Sequence, residues 1–209
     1  MTRWLGSGVL TLALFVALGV AVTAHPLGID LSVAGAFQGW WRGTFGQVTT
    51  VVSDWFGLVI PAVFAAGMLV AAALCWYRGR RRDALVIVRV LVVYALCRLT
   101  SPLGKPLFVR VRPRVYAEFS YPSGHVVSAA SAGLAAVLLC VWLAPAVTKW
   151  VASVAGVWTV LVAVTRLILG VHWLTDTVGA VLAVLGVGLI AASVLRLLPG
   201  PVSARADAA

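Results

Sequence analysis

The sequence predicts an all-α, integral membrane bundle of about six transmembrane helices, and three observations carry that prediction. Hydrophobic residues make up 62% of the 209 and charged residues only 11%, where a soluble domain holds roughly 45–50% and 25%. The mean hydropathy is +1.06. Apolar runs of about 20 residues, the length that crosses a bilayer, recur six times with short connections. That leaves room for a single transmembrane domain over 1–209 and for no separate soluble one. The same composition excludes disorder, collagen-like repeats and a disulfide-built scaffold. Cys75, Cys97 and Cys140 all fall inside apolar runs and read as small buried hydrophobes.

The first run, Leu5 to Ala24, follows Arg3 and is long enough to span. A signal peptide ending near Val22-Thr23-Ala24 is the rival reading, against which the run is longer than the usual 7 to 15 residue apolar core. Residues His25 to Asp54 are mixed and include Trp40-Trp41, which suits a loop with a short interfacial helix. Trp55 to Tyr77 is the second span, with aromatic residues at both ends. It stops at Arg78-Gly79-Arg80-Arg81-Arg82-Asp83, the densest basic cluster, which the positive-inside rule assigns to the cytoplasm together with the N-terminus.

The third run, Ala84 to about Thr100, carries Arg89 and Arg98. Arginine within a span must face protein, a partner or the interface; Arg98 is the better functional candidate and Arg89 reads as snorkelling to the cytoplasm. His125 to Leu143, Trp150 to Leu169 and Trp173 to Leu198 complete the six. The link Ala144 to Lys149 is short, as between antiparallel neighbours. Pro199 to Ala209 reads as a disordered tail. By alternation, the polar segments Ser101 to Gly124 and Arg166 to Asp176 emerge on one face, the extracytoplasmic one.

The net charge of +10, from 16 Lys and Arg against 6 Asp and Glu, would point to nucleic acid in a soluble protein. Here the cations lie at span ends or in clusters, so no nucleic-acid partner is expected; the partners are the bilayer and an anionic ligand. In KPLFVRVRP and the few residues after it, Lys105, Arg110, Arg112 and Arg114 are balanced only by Glu118. Cations on the face where the positive-inside rule disfavours them point to an anion, although a headgroup-binding rim would look alike. Lys105 and Arg112 are two helical turns apart, so a helix there would put them on one face.

Tyr121-Pro122-Ser123-Gly124-His125 precedes an apolar helix. Ser123 is a favoured N-cap, and Gly124 lets a ligand approach the helix N-terminus, a ready anion site; an ordinary cap beside a surface histidine is the plainer alternative. In TRLILGVHWLTD, His172 and Asp176 are four apart, so on one helix they share a face and the carboxylate can accept one ring N–H. That bond fixes the tautomer and leaves the other nitrogen to attack, with Arg166 just upstream. His125, His172 and Asp176 could also form a metal-ligand set. Lys105, Arg112 and Arg166 nearby would repel a divalent ion, so neither metal nor other cofactor is expected.

The sequence resembles the type-2 phosphatidic acid phosphatases, integral-membrane lipid phosphatases that share a core with the vanadium-dependent haloperoxidases. The resemblance rests on Lys105 with Arg112-Pro113, on Pro122-Ser123-Gly124-His125, and on Arg166, His172 and Asp176, and so covers 105–176. Two departures stand out: Thr165 occupies the place of the usual Ser before the third-motif arginine, where a hydroxyl contact is expected to survive, and the connector from Pro113 to Pro122 is short.

The resemblance implies a phosphohistidine mechanism in which His172 attacks phosphorus, Asp176 orients it, and His125 protonates the leaving lipid alkoxide and later activates water. It implies that Lys105, Arg112, Ser123, Gly124 and Arg166 hold the phosphoryl oxygens. Histidine's ordinary pKa of about 6.5 suits both roles, and protonation of His172 at low pH is expected to quench attack. The expected substrate is a lipid-linked phosphate or pyrophosphate: phosphatidic acid, phosphatidylglycerol phosphate, or a polyprenyl carrier such as undecaprenyl pyrophosphate or a phosphorylated polyprenyl-ribose. The motif residues see only the phosphate, so selectivity is assigned to helix faces and the loop His25 to Asp54. The rival classes are a lipid phosphotransferase and a non-catalytic lipid-phosphate-binding or transport protein.

Overall fold

The computed structural model describes residues 2–198. The expected tail therefore lies outside the described residues. Among the described residues, six helices are long and apolar enough to cross a membrane. They are α1 (Thr2–Thr23), the combination of α3 (Gly43–Asp54) and α4 (Ile60–Tyr77), α5 (Arg81–Phe108), α6 (Gly124–Leu143), α7 (Thr148–Ile168) and α8 (Leu174–Val194). A short helix, α2 (Gly28–Ala36), lies between the first two spans.

Two expectations change. The loop assigned to His25–Asp54 ends early, because α3 already begins at Gly43 and passes into α4 through one wide π-turn, Trp55–Val59. The third helix runs on past Thr100 to Phe108 with Pro102 and Pro106 inside it, which carries Lys105 into its last turn. It stops where Val109 turns left-handed at φ 48, three residues before Arg112. Lys105 and Arg112 therefore do not share a helix face.

Helix α8 is the hub. Its small residues let neighbours approach closely, the packing rule of helices in lipid. Antiparallel α1 lies against it with Gly8 opposite Ile190 and Leu12 opposite Gly186; a β-carbon on Gly186 would come within 2.8 Å of the α1 backbone. Gly188 receives Leu134 of α6 on another face, and Cys97 of α5 reaches the Val184 carbonyl at 3.5 Å. The main core gathers Val90, Val93, Cys97, Val126, Ala135, Val162 and Val184 from α5 to α8. None of the three cysteines is paired.

A second small core lies where α1, α5 and α8 meet the segment after α5. Phe15, Phe108 and Tyr121 stack there, with ring centroids 4.9 to 5.6 Å apart. The Tyr121 hydroxyl donates to the Phe15 carbonyl at 2.6 Å. The peptide Tyr121-Pro122 is cis, and Gly104 makes room for the Pro122 ring. Segment 109–123, the α7–α8 turn, α2 and the start of α3 thus converge on one end of the bundle. The Arg78–Arg82 turn lies at the other.

Candidate active site

The segment after α5 is extended, so alternate side chains face opposite ways. Arg110 and Arg112 turn inward and are buried, while Val111 between them is 77% exposed. Arg112 is held by three backbone carbonyls: Glu118 at 2.5 Å, Val171 at 2.7 Å and Phe119 at 3.1 Å. Its Nη1 also lies 3.3 Å from Nε2 of His172. A guanidinium only donates, so Nε2 presents its lone pair to that contact.

His172 is not on a helix. Helix α7 ends at Ile168, Gly170 turns the chain at φ 62, and α8 begins at Leu174 behind the N-cap Trp173. The His172/Asp176 spacing nonetheless works, through the helix cap. Asp176, the third residue of α8, accepts the Trp173 backbone N–H at 2.8 Å, and the same Oδ2 lies 3.3 Å from His172 Nδ1. A proton on Nδ1 satisfies both sides of the ring: Nδ1–H donates to Asp176 and Nε2 keeps its lone pair towards Arg112. Burial pushes the His172 pKa down to about 3, against the raising effect of Asp176. The imidazole is neutral near pH 7.

Asp176 is tied on its other oxygen to Arg110 at 2.5 Å. The same guanidinium reaches Asp30 of α2 at 2.7 Å. Asp30 also accepts the backbone N–H of Thr175 at 2.9 Å and its hydroxyl at 2.7 Å. Burial works to raise the Asp30 pKa, but the Thr175 bonds and the Arg110 charge outweigh it and hold the carboxyl below its ordinary value.

The other expected residues border the same place. Lys105 bonds Glu118, and Arg112 lies 3.9 Å from that carboxylate. The Lys105 bond, then the charges of Lys105 and Arg112, keep the Glu118 pKa low despite some burial. Arg166, at the end of α7, is 5% exposed, and its Nε has no partner. Ser123 is the N-cap of α6 without a capping bond, and its hydroxyl is likewise buried and unpartnered. Buried polar atoms are nearly always bonded, so two orphans beside a helix N-terminus and two buried arginines mark a place for an anion. Gly124 sits close to α5, where its β-carbon would meet Ser101 Oγ at 3.2 Å, and Arg98 Nη1 donates to its carbonyl at 3.4 Å. Thr165 donates its hydroxyl to the Val162 carbonyl of its own helix at 2.7 Å.

His125 has a carboxylate of its own. Its Nε2 lies 2.9 Å from Asp54 Oδ1, and Ser53 next to it accepts from Arg166 at 3.1 Å. Asp30, Ser53, Asp54 and Thr175 escaped sequence reasoning. A signal did exist: the chain has only 6 acidic residues, Asp30, Asp54, Asp83, Glu118, Asp176 and Asp207, and charges so scarce in an apolar chain each need a reason. Four of them meet at this site.

Comparison with known proteins adds three findings. The family pattern of the PAP2 superfamily matches residues 86–198, which includes every motif residue from Lys105 to Asp176. The chain is similar to phosphatidylglycerophosphatase B of Bacillus subtilis (strain 168), 31% identical over 150 residues, which are 68% of this chain and 69% of that one. Its fold is similar to the crystal structure of a transmembrane PAP2 type phosphatidylglycerolphosphate phosphatase from Bacillus subtilis. The TM-score there is 0.66 at 27% identity, over 90% of this chain and 95% of the other.

Proposed function

Because the chain belongs to the PAP2 superfamily and is a membrane lipid phosphatase of the phosphoric monoester hydrolase class, we propose that it cleaves the terminal phosphate of phosphatidylglycerol phosphate through a phosphohistidine. The observation that carries the reading is His172: buried, neutral, with Nδ1 on Asp176 and the Nε2 lone pair under Arg112.

The phosphoryl group fits among Arg112, Arg166, Lys105, the Ser123 hydroxyl and the first N–H groups of α6 at Gly124. These cations and oriented donors neutralise charge on the equatorial oxygens, which is most of what phosphoryl transfer asks of a protein. As the phosphorus arrives, its oxygens replace the Nε2 lone pair as partners of Arg112. Nε2 then bonds phosphorus while the P–O bond to the lipid breaks and its electron pair leaves with the lipid oxygen. His125 protonates that oxygen. Asp176 balances the positive charge that develops on His172. Water, losing a proton to His125, then breaks the P–N bond and releases orthophosphate.

Phosphatidylglycerol phosphate leads phosphatidic acid and the polyprenyl carriers because both similar proteins carry its phosphatase in their names. The enzyme sits in the cytoplasmic membrane with its site on the extracytoplasmic face. This placement is supported by the Arg78–Arg82 cluster at the opposite end of the bundle.

The experiment is phosphate release by purified protein in detergent from phosphatidylglycerol phosphate, phosphatidic acid and undecaprenyl pyrophosphate, with His172→Ala alongside. Release that ranks phosphatidylglycerol phosphate first and vanishes in the variant, with an acid-labile phosphoenzyme trapped only in wild type, bears the reading out. A different ranking overturns the substrate, and retained activity in His172→Ala overturns the nucleophile.

A further inference from the structure

The junction of α3 and α4 is a π-turn, Trp55–Val59. A π-turn adds a residue to a helix and re-aims the side chains around it, and such turns gather at functional sites. Here the turn Trp55–Val59 comes directly after Ser53 and Asp54. The Trp158 indole N–H of α7 donates to the Phe56 carbonyl at 3.1 Å and fastens the turn in place.

Three residues of this stretch, Ser53, Asp54 and Gly57, close on His125 and Arg166. Ser53, wholly buried, accepts from Arg166 Nη1 at 3.1 Å. Asp54 Oδ1 lies 2.9 Å from His125 Nε2. The imidazole lies against the backbone of Gly57, where a β-carbon would come within 2.7 Å of His125 Cδ2 and 2.8 Å of its Cβ. The ring is thus gripped along its Cδ2 edge and at Nε2. Nδ1 is the ring nitrogen with no hydrogen-bond partner among the described residues.

We infer that Asp54 is the positioning residue of His125: its carboxylate takes the Nε2–H, so that the proton given to the leaving oxygen is carried on Nδ1. The inference rests on the reading of His125 as general acid and adds to it the atom that acts and the residue that aims it. In the first step the imidazolium gives its Nδ1 proton to the lipid oxygen as that oxygen takes the electron pair of the broken P–O bond. The ring is left neutral, still bonded to Asp54 through Nε2–H. In the second step Nδ1 takes a proton from water as the water oxygen bonds phosphorus and the P–N electron pair returns to His172. Asp54 remains a carboxylate throughout. It touches neither substrate nor the reacting atoms.

The deciding experiment compares two leaving groups on one lipid. Phosphatidylglycerol phosphate is assayed beside its analogue with sulfur in place of the bridging oxygen, whose thiolate departs without a proton. A general acid contributes roughly 10²- to 10⁴-fold, so Asp54→Asn is expected to lose about 10²-fold in kcat on the oxygen ester and less than about 5-fold on the sulfur ester. Asp54→Glu should recover part of the loss. Gly57→Ala, which pushes a methyl into the ring while leaving every charge in place, should show the same split at an unchanged KM.

His125→Ala keeps the two levels of the reading apart. If it shows no difference between the esters, the general-acid assignment falls. If His125→Ala shows the split and Asp54→Asn does not, with both folded by melting temperature, the positioning role of Asp54 is overturned. Equal losses on both esters in Asp54→Asn overturn it too, because a purely structural carboxylate would hurt both alike.

Discussion

Arg110 and Asp176 are paired at 2.5 Å where water is excluded, with side chains 2% and 0% exposed. The pairing is half of a bridge, because Asp30 takes the other arm of the same guanidinium at 2.7 Å. The two carboxylates occupy equivalent places. Each is the third residue of a helix, α2 or α8, and each accepts the backbone N–H of its own N-cap, at 3.2 Å for Asp30 and 2.8 Å for Asp176. One arginine from the extended segment therefore locks two helix N-termini together and fixes the carboxylate that faces His172.

That bridge is expected to be costly to cut. Arg110→Gln leaves two buried carboxylates without their cation, and breaking a buried pair costs about 3–5 kcal/mol. Thermal unfolding in detergent should show a fall of several degrees at least, and kcat should drop with it as Asp176 loses its hold. Asp30→Asn keeps the shape and, with its oxygen in the Oδ2 place, the bonds from Leu27, Arg110 and the Thr175 hydroxyl, losing that from the Thr175 N–H, so its loss should be smaller, roughly 1–3 kcal/mol. Equal stability of Arg110→Gln and wild type would refute the bridge.

The buried histidine makes stability depend on pH. In the folded protein the His172 pKa lies near 3 because burial disfavours the cation, while in an unfolded chain it is about 6.5. Below pH 6.5 the unfolded state binds a proton that the folded state refuses. Stability from this group is therefore complete above about pH 6.5 and is lost as the pH falls towards 3. Between pH 7.5 and 4.5 wild type should lose up to about 3 kcal/mol more than His172→Gln. Parallel melting curves for the two would contradict the neutral, buried imidazole. The same shift moves the expected acid quenching of attack from near pH 6.5 to near pH 3.

Ser123 offers the opposite combination, a change felt by the ligand and not by the fold. Its hydroxyl has no hydrogen-bond partner, so Ser123→Ala removes no bond and should leave the melting temperature where it was. Inhibition by inorganic phosphate should weaken about tenfold, the equivalent of one hydrogen bond to an anion, about 1.4 kcal/mol. A fall in melting temperature with unchanged phosphate inhibition would place the hydroxyl in the fold and not in the site.

Gly179 tests how the small aromatic core supports the site. A β-carbon there would collide with the Tyr121 ring, whose hydroxyl is anchored on Phe15 and whose neighbours in sequence are Pro122 and Ser123. Gly179→Ala should cost about 1–3 kcal/mol by overpacking and raise KM by shifting the start of α6. Full stability would mean that Tyr121 yields at no cost.

Patterning along the chain was enough to read the six spans and the meeting of segments 105–124 and 166–176. A span is recognised by composition over about 20 residues, and alternation decides which connections share a face. The motif residues were legible for a related reason: Arg112-Pro113, Ser123-Gly124-His125 and His172 with Asp176 each lie within one short stretch, where spacing constrains geometry. Helix boundaries were less so, since α5 runs through Pro102 and Pro106 to Phe108, where proline would ordinarily end a helix.

Packing decided the rest. Asp30 lies 80 residues from Arg110 and Asp54 lies 71 from His125, separations at which no periodicity relates one side chain to another. The segment His25–Asp54, featureless as a string, supplies both carboxylates, together with the serine on Arg166, because α2 caps the α7–α8 turn and the π-turn aims α3 at the start of α6. A charge in an apolar chain must be paired somewhere, and which partner it finds is a property of how the helices meet.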